Sequence, residues 1–216
     1  MKFASRGIAL ITLTLCSLIY AESQSTWNFD ELESGTKPKN WELAETNGKG
    51  TAAIWEITER DENKVFAITK NRNSGNTASL AMIKVGAVKN VELSTRIKAG
   101  TPGDDAGGGM IWRVIDENHY YLARWDPIGK TCRLYLTIGG EASLLESVRV
   151  DADTGTWHQF DVAHNEETIE ILFDGESVLE FEDNTLDLPG WIGLWAPGDA
   201  MPAFDDITFY TEDDVE

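Results

Sequence analysis

Cysteine is almost missing from this chain, which holds only Cys16 and Cys132. Cys16 sits in an apolar opening segment that reads as a removable leader, so one thiol remains and no intramolecular disulfide is available to the mature chain. Stability must come from burial. Cys132 alternates with Leu134 and Leu136, which predicts a small buried hydrophobe rather than a reactive thiol. Positive charge is scarce as well: 18 Lys and Arg stand against 37 Asp and Glu, a formal charge of −19. Losing Lys2 and Arg6 with the leader makes this 16 − 37 = −21. A nucleic-acid partner needs a basic stripe that releases counterions, and anionic membrane surfaces repel the same field. The first partner is therefore excluded and the second disfavoured. The three histidines, His119, His158 and His164, have no spacing for a metal site or a triad. No repeat, linker or low-complexity stretch is present, and helical periodicity is nearly absent.

What is present begins with Lys2 and Arg6, an apolar run from Gly7 to Tyr20, Ala21, and then the polar stretch Glu22 to Thr26. That order is a secretory signal peptide, expected to be removed after Ala21. The run is short for a membrane span, and Leu15 ahead of Cys16 does not suit a lipidation site. The expectation is a signal peptide over 1–21, one domain over 22–216, no membrane span after cleavage, and a protein exported to the periplasm or the cell exterior. A mature chain of this length can bury one sizeable core.

From Trp27 onward, short alternating segments are bounded by Gly, Asn and Asp, the pattern of an antiparallel sandwich rather than of βαβ units. Turn chemistry appears at Asp116-Glu117-Asn118, Ile138-Gly139-Gly140 and Asp174-Gly175. If Asp116 to His119 turns a hairpin, one face collects Met110, Trp112, Val114, Tyr121, Ala123 and Trp125, and should be core. Leu134, Phe160, Val162, Ile171, Phe173, Ile192 and Leu194 are expected to join it. The other face collects Arg113, Tyr120 and Arg124, then Arg133 and Tyr135 from the next strand. The preceding strand is expected to add Arg96.

The run Gly108 to Arg113, then Asp116 to Arg124, then Arg133-Leu134-Tyr135 resembles the middle of bacterial laminin G-like domains of the concanavalin A-like lectin/glucanase superfamily. Gly155 to Val162, Ile171 to Gly175, Gly190 to Trp195 and Phe204 to Ile207 follow in the same order, and Trp27 to Asp30 with Gly35, Pro38 and Trp41 resembles the first strand. The resemblance implies an all-β, two-sheet antiparallel jelly-roll sandwich. The superfamily includes 3-keto-disaccharide hydrolases, glycoside hydrolase family 16 enzymes, and non-catalytic sugar-binding or adhesion modules, among which fold does not choose. The Glu-x-Asp-x-x-Glu strand of family 16, which sets two carboxylates about the scissile bond, is missing here.

In so acidic a chain, arginines gathered on neighbouring strands call for a reason, since like charges facing one another cost stability. Guanidinium forks bind carboxylates and sugar hydroxyls, and aromatic rings stack on pyranoses. The expected ligand set is Arg96, Arg113, Tyr120, Arg124 and Trp195, bordered by Asp104 and Asp105 of the glycine-rich loop, on a concave Arg/Tyr/Trp face. Pairing of those arginines with Glu92, Asp161 or Glu170 is the alternative. No catalytic residue and no organic cofactor is assigned. The resemblance also implies a structural calcium ion at Asp30 and Asp205, where acidic residues of the first and last strands meet. The expected function is recognition of a sugar or sugar derivative. The alternatives are cleavage of a glycoside or 3-keto-disaccharide by hydrolysis or elimination, and protein-binding adhesion.

Overall fold

The computed structural model describes residues 22–49, 51–100 and 106–212. The expected leader, 1–21, lies outside them. Fifteen strands run through the described residues: β1 (Glu22–Trp27), β2 (Trp41–Thr46), β3 (Ile54–Arg60), β4 (Asn63–Lys70), β5 (Ala78–Val88), β6 (Val91–Lys98), β7 (Gly108–Asp116), β8 (His119–Asp126), β9 (Thr131–Ile138), β10 (Glu141–Arg149), β11 (His158–Asn165), β12 (Thr168–Phe173), β13 (Glu176–Glu182), β14 (Gly190–Pro197) and β15 (Ala203–Glu212). They form two antiparallel sheets. One runs β13-β12-β11-β6-β15-β4-β3, with β1 added on β15, and the other runs β10-β9-β8-β7-β14-β5-β2. Crossovers between the sheets make this a jelly-roll sandwich. Among the described residues, no helix is long and apolar enough to cross a membrane.

Alternation places one side of each strand between the sheets. Met110, Trp112, Tyr121, Ala123, Trp125 and Leu134 of the seven-stranded sheet meet Phe160, Val162, Ile171 and Phe173 of the other, with Ile192 and Leu194 in the same core. Cys132 is fully buried there, and burial pushes its thiol up to about 12. The thiol is a packing group, as expected.

The expected alternation fails at one position. Across β7 and β14, residues 111 to 114 stand opposite residues 193 to 191, so three steps face two. Arg113 absorbs the extra residue with φ of 47°, which makes this a β-bulge. Parity flips beyond it, and Val114 packs on the outer face of the sheet instead of in the main core.

That outer face carries a second, smaller core. Leu80, Met82, Ile111, Val114 and Leu122 are buried beneath Tyr120 and Trp195, with Tyr135 and Trp191 packed at its margin. Coiling of the sheet encloses it. Thr46, at the end of edge strand β2, bonds Tyr120 of β8 although β5, β14 and β7 lie between them. Right-handed twist accumulating over several strands brings diagonal corners of a sheet together over one face.

Candidate functional site

A cleft of about 380 Å³ lies on the outer face of the seven-stranded sheet, lined by Thr46, Asn76, Tyr120, Arg124, Glu141 and Trp195 among others. Tyr120, Arg124 and Trp195 of the expected ligand set are therefore together. The Arg124 guanidinium lies 5.5 Å from the Trp195 ring centroid, a cation–π stack. Its Nη2 is 3.8 Å from Asp126 Oδ2, the oxygen that Arg133 Nη1 approaches to 3.4 Å. The guanidinium is thus set between the indole and the Asp126 carboxylate, with the Arg124 side chain 14% exposed.

Tyr120 is not the open stacking ring the sequence suggested, because it is only 2% exposed. The Trp195 indole N–H donates to its oxygen at 3.3 Å. Thr46 donates its one hydroxyl proton to the Glu117 carbonyl at 2.6 Å, so the 2.7 Å contact between Thr46 and Tyr120 must be donated by Tyr120. A directed chain results, from Trp195 through Tyr120 and Thr46 to Glu117. Burial raises the Tyr120 pKa against the bonds that lower it. The phenol thus fixes the tilt of Trp195 rather than offering a base.

Glycines 107 to 109, at the start of β7, permit this packing. A Cβ on Gly109 would stand 2.0 Å from the Ala123 carbonyl oxygen, and one on Gly107 would stand 2.0 Å from that of Trp125. Their role is close backbone approach.

Two expected members of the set are elsewhere. Arg96 belongs to β6, which pairs β11 and β15 in the opposite sheet. The chain between β6 and β7 changes sheets, so neighbours in sequence are not neighbours in space. There Arg96 covers Trp157 at 5.3 Å and approaches Asp206. Arg113 is fully buried at the far end of the sandwich, turned there by the bulge. Its Nε donates to the Lys89 carbonyl at 2.9 Å, Nη1 to Asn184 Oδ1 and the Leu186 carbonyl at 2.8 and 2.9 Å, and Nη2 to the Glu166 carbonyl at 2.8 Å. It ties three connections together and cannot reach a ligand. Asp104 and Asp105 lie outside the described residues.

Sequence reading missed the segment after β2. Asn47 Nδ2 donates to the Gly140 carbonyl in the β9–β10 turn at 2.8 Å, and Thr77 Oγ1 donates to the Asn47 carbonyl at 3.3 Å. With the Thr46 bonds, this makes a strap over the outer face. A larger cleft of about 710 Å³ lies beyond it, lined by Glu45, Asn47, Trp55, Asn118 and His119 among others. Clustered turn formers at Asn47-Gly48 and Asn73 to Asn76 mark loops in the sequence, but nothing in the sequence shows which turns they touch.

Asp205 is wholly buried. It accepts from Asn63 Nδ2 at 2.7 Å and from the Asp206 N–H at 2.8 Å. Burial is the main cause that pushes its pKa up to about 6, and the charges of Asp206 and Asp30 add to it. Asp30 and Asp205 are thus close enough to interact. A buried carboxylate raised by neighbouring acids fits a hard cation in the chemistry of its donors. Among the described residues, no group of three or more acidic, histidine or cysteine side chains is poised to hold a metal.

The sequence model of the 3-keto-alpha-glucoside-1,2-lyase-like domain matches residues 26–209. No curated protein matches the chain. Among solved structures, the carbohydrate-binding module CBM66 from Bacillus subtilis is similar with a TM-score of 0.64 and 18% identity, over 80% of this chain and 96% of that one. The GH16 of a Bacteroides ovatus mixed linkage glucan PUL, in complex with a product, has a TM-score of 0.64 and 12% identity over 86% of this chain and 99% of its own. The exoplasmic/lumenal domain of VIP36 in a Ca2+/Man-bound form has a TM-score of 0.59 and 11% identity, over 89% of this chain and 91% of that one. At such identities the likeness is one of fold.

Proposed function

Because the chain belongs to the 3-keto-alpha-glucoside-1,2-lyase-like family, we propose that it binds a sugar or sugar derivative in the cleft over Tyr120, Arg124 and Trp195. The observation that carries this reading is the Arg124 guanidinium stacked on Trp195 in the wall of a polar cleft. Its donors are held in one plane, and a ligand carbonyl, carboxylate or pair of hydroxyls would receive charge-assisted bonds without first ordering the side chain. Titration calorimetry with α-glucosides and their 3-keto forms tests it. Arg124→Ala should weaken binding by about tenfold or more, the loss of one such bond, while the protein stays folded. Undiminished binding by that variant sinks the reading.

The family match favours a second reading, elimination. In a 3-keto-glucoside the C3 carbonyl acidifies the C2 proton. A base removes that proton, the electron pair forms C1=C2, and the C1–O bond breaks, the departing oxygen taking up a proton from the protonated base or from water so that the alcohol is released. Glu141 is the carboxylate that lines the cleft and has the chemistry of such a base. Growth of an enone absorbance with release of the alcohol from a 3-keto-α-glucoside, lost in Glu141→Gln, would establish it. A flat trace leaves recognition alone.

The reading includes calcium held by Asp30 and Asp205 and supported by Asn63. The ion would neutralise a buried carboxylate and stabilise the fold by mass action. Millimolar calcium should raise the thermal midpoint relative to chelator, and Asp205→Asn should abolish that difference. An unchanged midpoint removes the ion. The reading also includes export, from the basic start and apolar run of residues 1–21. An N-terminal sequence beginning at Glu22 on protein recovered outside the cytoplasm checks it.

A further inference from the structure

The outer face of a coiled sheet is a groove, and a groove open at both ends accepts the interior of a long chain. Here the strap divides it. Thr46 is 3% exposed, bonded to the Glu117 carbonyl and to Tyr120, and Asn47 reaches across to the Gly140 carbonyl at 2.8 Å. The approach is close at that crossing: a Cβ on Gly140 would stand 2.7 Å from Asn47 Oδ1 and 3.1 Å from Asn118 Oδ1. Gly140, with φ of +80°, lets the turn pass under the amide. A sugar ring threading the groove would have to break the Asn47–Gly140 and Thr46–Tyr120 bonds. The strap is also anchored from the β5 side, by Thr77 Oγ1 on the Asn47 carbonyl at 3.3 Å, so it joins both flanks of the groove.

We infer that the Thr46–Asn47 strap makes the Arg124 cleft an end-on site, which admits a short saccharide or the free end of a chain and refuses the interior of a continuous glycan. The inference rests on the sugar reading of that cleft. Its volume of about 380 Å³ agrees, since small-molecule sites span roughly 300 to 1,000 Å³ and this one lies near the lower limit. The larger cleft on the far side of the strap is a separate compartment.

The test uses the whole chain and probes of one linkage. Maltose and maltoheptaose have free ends, and cyclomaltoheptaose has the same α-linked glucose units with none. Titrations followed by amide chemical shifts should show the linear probes binding at least about tenfold more tightly than the cycle. Equal affinity for cycle and linear chain overturns the end-on inference and leaves the sugar reading standing. No shift with any probe overturns both. Asn47→Gly then assigns the effect to the strap: Asn47 has φ of 55°, a conformation glycine adopts freely, and loss of the amide should bring the cycle within about threefold of the linear chain. An unchanged preference in that variant overturns the assignment to the Asn47 amide. The wild-type comparison decides the inference even if the variant does not fold.

Discussion

Two arginines of one hairpin do opposite work. Arg113 sits at a bulge at the end of the sandwich, where carbonyl-type oxygens from three connections receive it and no surface is left to solvent. Arg124 lies on β8 against Trp195, partly exposed, sharing Asp126 with Arg133. The first end is densely bonded: Trp112 donates to His164 Nδ1 at 2.8 Å, and Tyr121 donates to Asp183 and accepts from the Leu186 N–H. Burial first, and then the Asp183 bond, push Tyr121 up to about 12. The cleft end keeps a positioned cation beside an open volume. A buried cation bonded to oxygens of three connections holds loops together, whereas a partly exposed one beside an indole borders a cleft.

The largest expected effect falls on the Arg113 end. Arg113→Ala would leave several buried acceptors unpaired, a loss of about 3–5 kcal/mol, visible as an early denaturant midpoint. An equal loss in Arg124→Ala would erase the contrast between the two ends. Next is the pH dependence of that same end. Burial, reinforced by the Arg113 charge, lowers His164 from 6.5 to about 4. The unfolded chain then binds the proton more readily than the folded one, so this stability is present above pH 6.5 and is lost as pH falls toward 4. The full loss is about 3 kcal/mol, and His164→Gln should remove that part of the acid sensitivity. The smallest effect is at the cleft: Arg124→Ala should cost about 1–2 kcal/mol, the loss of a cation–π contact and of a long pair with Asp126 that Arg133 still approaches, while ligand affinity drops.

The main core was legible because alternation is a local signal. Trp112, Tyr121 and Trp125 point inward wherever their strands pair regularly, and they do so here. The site was legible in part. Tyr120, Arg124 and Trp195 came together because they lie on outward positions of strands joined through one sheet. Arg113 did not, since one extra residue in β7 reverses facing and leaves no mark in the order of apolar and polar residues. Arg96 did not, since the sheet to which a strand belongs depends on its pairing partners, and alternation is the same in either sheet. The Thr46–Asn47 strap was illegible for a further reason: its contacts span 30 to 93 residues of sequence.

By itself, the sequence determined the all-β class, the inward face of most strands and the acidic surface, because periodicity and charge are properties of short segments. Only the tertiary structure decided which arginine is a staple and which faces the cleft, and where the groove is closed. Those outcomes rest on a bulge, on sheet membership and on accumulated twist, and each is set by contacts between strands that are distant along the chain.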